Sequence, residues 1–488
     1  MKWKTLVAIL LIPCILGIGA AAYELMPAPG QDATETGGHV PTVPPIPEKP
    51  PVMPGNGTPG APPAIPANGT PGAPPAIPVN STPEAPPGIP ANGTPGTPPP
   101  PPSNPNASQP SPTNLGELIN ASNQFALEMF SNLSNDKDNL FFSPYSIFTA
   151  LGMTYEGARG KTADEIRSVF HFPADNQTRW SLFKALIDKL NSNSTGCNLS
   201  TANALWVQEG FQLLQTYIDA LETYYRSSAF DVDFARALEE SRLKINYWVE
   251  NQTNGKIKDL FPAGSLDPAT CLVLTNAIYF KGDWLKEFNQ SLTQQRAFHP
   301  DPTRTVQVPM MVRNDKESSF NYADLDGLQA LEMKYAGEKL SMLVLLPDGD
   351  GTSSIESALT PQKLNEWRGK LKEQRVDVHF PKFTLNTRYY LNNNLSKMGM
   401  PTAFSPAADF SGIDGRTDLC IALVAHQAYV SVDEKGTEAA AATGVSFTKG
   451  PIEPLHPTFN ADHPFIFIIQ DRETGNILFM GKLLDPTR

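Results

Sequence analysis

The sequence predicts an α+β fold behind a proline-rich leader. Three observations carry that prediction. Helix-spaced apolar residues crowd the first part of the globular region, between Leu115 and Asn251, and strand-like runs dominate the later part, from Leu272 to Gly481. The two kinds of element are segregated rather than alternating, which excludes a βαβ succession. Proline accounts for 48 of 488 residues. It crowds into the first ~110, so that about 375 residues of ordinary composition remain, enough to bury a large core.

Taken in order, Met1-Lys-Trp-Lys is a positive start, followed by the uncharged, mostly apolar run Thr5 to Ala22. Ala20-Ala21-Ala22 supplies a small-residue cleavage pattern ahead of Tyr23, as in a secretory signal peptide. The run is also long enough to stay as a membrane anchor. Segment 1–22 is therefore expected to export the chain, leaving it secreted or tethered to the outer face of the cell membrane. Segment 23–112 lacks hydrophobic periodicity and contains a twelve-residue repeat with copies starting at Asn56, Asn68, Asn80 and Asn92. A short proline-rich period cannot bury a core, so this stretch reads as a disordered, solvated, polyproline-like linker. Each copy opens with an Asn-x-Thr acceptor for sugar.

The globular domain is assigned to 113–488. Leu115 to Leu133 has helical spacing. Asn139 to Met153 reads as a strand leading into a helix, with Ser143 at the N-cap and Pro144 in the first turn. Helices follow over Thr162 to Phe170 and Leu182 to Leu190, then a strand over Thr201 to Gln208 and an amphipathic helix over Leu243 to Asn251. Leu272 to Gly282 is nearly continuous in apolar residues, the mark of a central strand buried on both faces. Strands are also predicted at Leu340 to Pro347 and Val376 to Lys382, and a hairpin over Phe465 to Gly481 with its turn at Arg472 to Asn476.

The chemistry is sparse. A net charge of -12 with no basic run argues against a nucleic-acid or anionic-membrane binder, and against activation by a heparin-like polyanion. The cysteines Cys14, Cys197, Cys271 and Cys420 have no metal-ligand spacing, and the three beyond the leader argue against a disulfide framework. Cys271 and Cys420 lie in apolar runs and read as core thiols. There is no G-x-S-x-G elbow, no true P-loop and no H-x-x-x-H pair, and His426 reads as a hydrogen-bonded core histidine. The expectation is a binding or inhibitory protein, not an enzyme, with no cofactor or metal.

One stretch stands out, Val432 to Pro451. An alternating strand runs into Glu434, and the ten residues Gly436 to Val445 carry almost no bulk. Either this is a small-residue surface loop, or it is built to change from loop to buried strand. In the second case Thr437, Ala439, Ala441 and Thr443 would form one face.

Residues ~113 to 488 resemble the serpin family of serine protease inhibitors. The resemblance is carried by Asn139-Leu-Phe-Phe-Ser-Pro-Tyr-Ser-Ile, Thr275-Asn-Ala-Ile-Tyr-Phe-Lys-Gly-Asp-Trp284, Phe380-Pro-Lys-Phe383, Val432-Asp-Glu-Lys-Gly-Thr-Glu-Ala-Ala-Ala-Ala442, His463-Pro-Phe-Ile-Phe467 and Phe479-Met-Gly-Lys482. It implies three β-sheets, eight to nine helices and an exposed reactive-centre loop that inserts into the large sheet A after cleavage. By position it makes Glu434, Gly436, Thr437, Ala439, Ala440, Ala441, Ala442 and Thr443 the insertion hinge. It places Ser143, Ser146, Asn276 and His426 in the shutter under the opening strands, and Trp284 and Lys382 at the breach where insertion starts. Counting seventeen residues from Glu434 puts the specificity residue at Gly450, but Pro451 makes the following bond a poor substrate. Lys449, a trypsin-like site, is favoured; Gly450 and the chymotrypsin- or subtilisin-like Phe447 remain open. The implied partner is a serine protease, met by a monomeric inhibitor. The alternative is a non-inhibitory serpin acting as a surface binding or carrier protein, which the small hinge residues oppose.

Overall fold

Residues 112–135, 137–191, 196–349, 351–437 and 456–488 are described in a computed structural model of the chain. The leader, the repeat linker and its sugar acceptors, the hinge residues Ala439, Ala440, Ala441, Ala442 and Thr443, and the bait residues Phe447, Lys449, Gly450 and Pro451 lie outside the described residues.

The helices are α1 (Pro112–Leu133), α2 (Pro144–Gly157), α3 (Gly160–Phe170), α4 (Asn176–Asn191), α5 (Gln215–Ala220), α6 (Leu238–Gln252), α7 (Ser353–Ala358), α8 (Pro361–Lys370), α9 (Asn392–Met398) and α10 (Ser411–Asp414). The described residues thus hold ten α-helices where eight or nine were expected, because α5, α7, α9 and α10 are short segments of one or two turns. The strands are β1 (Leu140–Phe142), β2 (Cys197–Gln208), β3 (Ala229–Val232), β4 (Leu272–Asp283), β5 (Gln294–Asp301), β6 (Arg304–Arg313), β7 (Ser319–Leu325), β8 (Leu328–Lys334), β9 (Leu340–Pro347), β10 (Lys372–Arg375), β11 (Asp377–Pro381), β12 (Phe383–Tyr390), β13 (Leu423–Val432), β14 (Gly436–Thr437), β15 (Thr458–Asn460), β16 (Phe465–Asp471) and β17 (Ile477–Leu483).

They form three sheets. Sheet A has the order β12-β13-β14-β4-β2-β3, a seven-stranded sheet β1-β17-β16-β9-β8-β7-β10, and a four-stranded sheet β15-β11-β6-β5. The local signals act as the residue types dictate. Ser143 caps α2 by accepting a hydrogen bond from the Ser146 backbone N–H (3.2 Å), with Pro144 at the first helical position. The β16–β17 hairpin turns where Asp471 accepts the Thr474 N–H and Gly475 takes φ +71°.

β4 explains its own sequence. Leu272, Leu274, Ile278 and Phe280 face the main core, which they share with α1 to α4 and the seven-stranded sheet. Val273 and Ala277 face the other way, into a smaller core with Ile245 and Val249 of α6. A strand covered on both faces has no polar face, hence the unbroken apolar run. The helical pattern around Leu243 is less simple. Leu243 and Tyr247 are exposed, and the face α6 buries includes Arg242 and Asn246, whose side chains donate to the carbonyl of Phe261. That segment folds back under the helix, so polar residues are satisfied inside while two apolar ones stay in water. Cys271 and Cys420 depart from expectation: each is half-buried, one residue ahead of β4 and three residues ahead of β13, rather than sunk in the core.

Among the described residues no helix is long and apolar enough to cross a membrane. The helical layer is tied to itself by a buried ion pair. Arg179 of α4 meets both oxygens of Glu156 at the end of α2 (2.8 and 2.9 Å), and Trp180 and Tyr225 donate to the same carboxylate. Both partners are almost fully buried. Arg179→Met should lower native-state stability by about 3–5 kcal/mol, because it leaves the buried carboxylate with only the neutral donors Trp180 and Tyr225 and no opposite charge. The shift in urea midpoint checks this. The double variant with Glu156→Gln should recover most of the loss, and a single variant with an unchanged midpoint contradicts the assignment.

Candidate functional site

The site is a seam in sheet A. From Leu423 to Tyr429, β13 pairs directly and in parallel with Val273 to Tyr279 of β4. Beyond Tyr279 and Tyr429 the two strands part, and the short β14 fits between them. Thr437 pairs with Val432 on one side and Gly282 on the other, and Gly436 pairs with Asp283. The seam is closed below and already occupied by two residues above.

The upper end is held by a dense set of bonds. Lys382 is the single residue between β11 of the four-stranded sheet and β12 of sheet A, which places its ammonium at the junction of the two. Its Nζ donates to Glu434 Oε2 at 2.6 Å, and Thr293 donates to Oε1 at 2.7 Å. Burial pushes the Glu434 carboxyl up, but these donors outweigh it and hold the group below its usual range. The backbone N–H of Trp284 donates to Lys435 O (2.6 Å), and its indole donates to Asp433 O (3.0 Å). The indole stacks on Tyr335 at 4.6 Å between centroids, and the Tyr335 hydroxyl meets Thr437 Oγ1 at 3.1 Å. Thr437 is completely buried.

Two glycines make the fit of β14 possible. A Cβ on Gly436, whose φ is +156°, would lie 2.1 Å from Gly282 O, and one on Gly282 would lie 2.8 Å from the Tyr335 ring. Neither position tolerates a side chain without moving β14 or β4.

The lower, closed part is bridged by a polar cluster. His426 and Asn276 face each other across the seam in register. Both are fully buried. The Ser143 backbone N–H donates to His426 Nε2 (3.0 Å), so the ring proton sits on Nδ1 and is donated to Asn276 Oδ1. Asn276 Nδ2 donates in turn to Ser146 Oγ (2.6 Å) and Asn203 Oδ1 (2.7 Å), and Ser143 Oγ donates to Leu478 O (2.6 Å). Burial drives the His426 pKa from 6.5 down to about 3, only partly offset by its bond to Asn276, so the ring is neutral.

The structure thus brings Ser143, Ser146, Asn276 and His426 together, and places Glu434, Lys382, Trp284, Gly436 and Thr437 together at the other end of the seam. It adds Asn203, Thr293 and Tyr335, which sequence reasoning passed over. Asn203 carried a signal: it is an amide within the apolar strand run Thr201 to Gln208. Thr293 and Tyr335 carried none. Among the described residues no group of three His, Cys, Asp or Glu side chains could hold a metal ion.

Comparison with known proteins agrees with this geometry. A family profile described as Serpin (serine protease inhibitor) matches residues 120–486. The chain is 44% identical to a serpin-like protein of Thermococcus kodakarensis over 76% of its own length and 86% of that protein's. It is 40% identical to Serpin B3 of Homo sapiens, over 76% of this chain and all of that one. Among solved structures, human thyroxine-binding globulin complexed with its ligand superposes with a TM-score of 0.70 at 33% identity, covering 77% of this chain and all of that one.

The neutral histidine makes a pH prediction. Its pKa is lower folded than unfolded, so the unfolded chain takes up the proton first as pH falls. The stability tied to neutral His426 is full above its unfolded pKa of 6.5 and is lost as pH falls towards 3. The slope is up to about 1.4 kcal/mol per pH unit. Urea midpoints between neutral and acid pH should therefore fall more steeply for the native protein than for His426→Gln. Carboxylates such as Glu434 act on both alike, so parallel curves would rule the neutral buried ring out.

Proposed function

We propose that this chain, which belongs to the serpin family, is an exported suicide inhibitor of serine endopeptidases. Members of the family are generally protease inhibitors rather than enzymes, and they generally act on serine proteases. In this reading a protease serine attacks the bait carbonyl, the amide breaks, and the chain is held as an acyl ester. The freed loop then enters sheet A between β4 and β13, carries the tethered protease with it, and distorts the active site before water reaches the ester. The inhibitor works as a monomer and is consumed.

The observation that supports this best is Thr437, seated and buried at the open end of the seam with both neighbouring strands already paired to it. Continuing that antiparallel register, each further loop residue opposes the preceding residue of β4, so Ala439 would meet Phe280. Glu438 next in the chain falls on the solvent side by strand alternation, and Ala439 to Thr443 beyond it are small and offer no obstruction. The His426–Asn276 bond across the seam is then the barrier that keeps the loop out until it is cut.

The bait bond is assigned to Lys449-Gly450, which suits a trypsin-like protease. Gly450-Pro451 and Phe447-Thr448 are the other readings. Incubation with trypsin, chymotrypsin and subtilisin, a denaturing gel and the mass of the released C-terminal peptide identify both inhibition and the bond. The expected result is a detergent-stable complex with trypsin and a peptide starting at Gly450. Cleavage by all three without any complex would instead favour a carrier serpin, the kind of role printed in the name of thyroxine-binding globulin.

Thr437→Arg should turn inhibitor into substrate. Its side chain would have to enter a fully buried place against Tyr335, where an unpaired charge costs several kcal/mol. Each ~1.4 kcal/mol added to the insertion barrier shifts the partition towards hydrolysis about tenfold. The gel should show cleaved chain in place of complex, and a variant that still traps protease one-to-one contradicts the insertion route.

A further inference from the structure

We propose that Cys271 and Cys420 form a redox-modification site, at which oxidation to a disulfide pins the base of the β4–β13 seam and stops loop insertion short. The effect on insertion rests on the inhibitory reading above; the disulfide itself does not.

The two cysteines lie where both strands enter the seam. Because β4 and β13 are parallel, their first residues are at the same end of the sheet, and the bond between Ala422 N–H and Leu272 O (3.1 Å) closes the seam there. Cys271 stands one residue before Leu272, and Cys420 two residues before Ala422. Both side chains pack against the same apolar cluster, and both are partly rather than fully buried, within reach of a small oxidant. The Cys271 thiol donates to Ala269 O at 3.5 Å. Burial pushes both thiols up, and the nearness of Cys420 and Asp418 raises Cys271 further. The pair therefore stays reduced under brief exposure and oxidises faster as pH rises.

With a peroxide as oxidant the step balances. One thiolate attacks a peroxide oxygen, the O–O bond breaks, and a sulfenic acid and one water form. The second thiolate attacks that sulfur, the S–O bond breaks, and hydroxide leaves as a second water. Two thiols and one peroxide become one disulfide and two waters.

The consequence for the seam follows from distances. A disulfide holds its two Cα atoms within about 7 Å. Adjacent strands lie ~4.8 Å apart, so a strand inserted between β4 and β13 moves them to roughly 9.6 Å. The two conditions cannot both be met at one level. In the register set by Thr437, the residue that would face Cys271 is Thr448, just before the favoured bait residue Lys449. The top of the seam stays free, so the loop starts to enter, but its last residues are shut out. An incompletely displaced protease keeps its catalytic geometry longer and hydrolyses the ester.

The test uses the full chain, oxidised with hydrogen peroxide at pH 8.5, blocked with N-ethylmaleimide and digested without reduction. We expect a peptide linking Cys271 to Cys420, absent from Cys420→Ser, and formed more slowly at pH 7. Its absence overturns the site. In titration against trypsin, oxidised protein should need several-fold more inhibitor per protease trapped. Dithiothreitol should restore the original ratio, and Cys420→Ser should be insensitive to peroxide. A linked peptide with unchanged trapping overturns the lock. If reduced protein traps none of the three proteases, the inhibitory reading fails and takes the lock with it, while the peptide map still decides the disulfide.

Discussion

The rest of the structure depends on the direct pairing of β4 with β13. Two parallel strands, each with further strands on its far side, are held by backbone bonds from Leu423 to Tyr429 and by one buried side-chain bond, His426 to Asn276. Parallel neighbours in one sheet are an open invitation, because a strand running the other way can pair with both. β14 shows the principle on a small scale: it is antiparallel to β13 and to β4, and it satisfies both edges where they part. The seam is therefore closed by interactions that a longer strand could replace with more of the same kind.

The two ends of the seam are built differently, and the difference is chemical. The upper end relies on charge and fit. The Lys382–Glu434 pair is shared with Thr293, and Gly436 of β14 approaches Gly282 of β4 closely beside the Trp284–Tyr335 stack. The lower part relies on a network of neutral amides, hydroxyls and one imidazole, fully buried at Ser143, Ser146, Asn276 and His426 and partly so at Asn203. In such surroundings a bond is stronger than in water, and a broken one is costly. A neutral histidine suits that place, since a charged ring would have to be desolvated.

Loop insertion, as proposed, cannot be powered by the loop alone. About ten new strand residues would add roughly 10 kcal/mol of hydrogen bonding. Ordering them costs about 1–2 kcal/mol each, which offsets it. Alanine and threonine add little burial. In that reading the drive would come from the sheet and the cores on its two faces, and the native arrangement would persist through a barrier rather than by being the lowest state.

The fold class was legible from residue order, because helical spacing early and strand runs late are local patterns that packing has no cause to reverse. The double-faced burial of β4 was legible for the same reason: covering both faces removes polar positions. Ser143 was legible because capping is a local geometry. What remained hidden depends on neighbours remote in the chain. The exposure of Leu243 while Arg242 is buried follows from where Phe261 returns, and the half-buried state of Cys271 and Cys420 from where β4 and β13 begin. The pairing of His426 with Asn276 needs a register between segments 150 residues apart. Sequence by itself determined which residues can form each element. Only the tertiary structure decided that β4 and β13 meet, that Thr437 sits between them, and that a histidine and an asparagine span the join, because strand partnership is set by long-range packing and leaves no periodic mark in the chain.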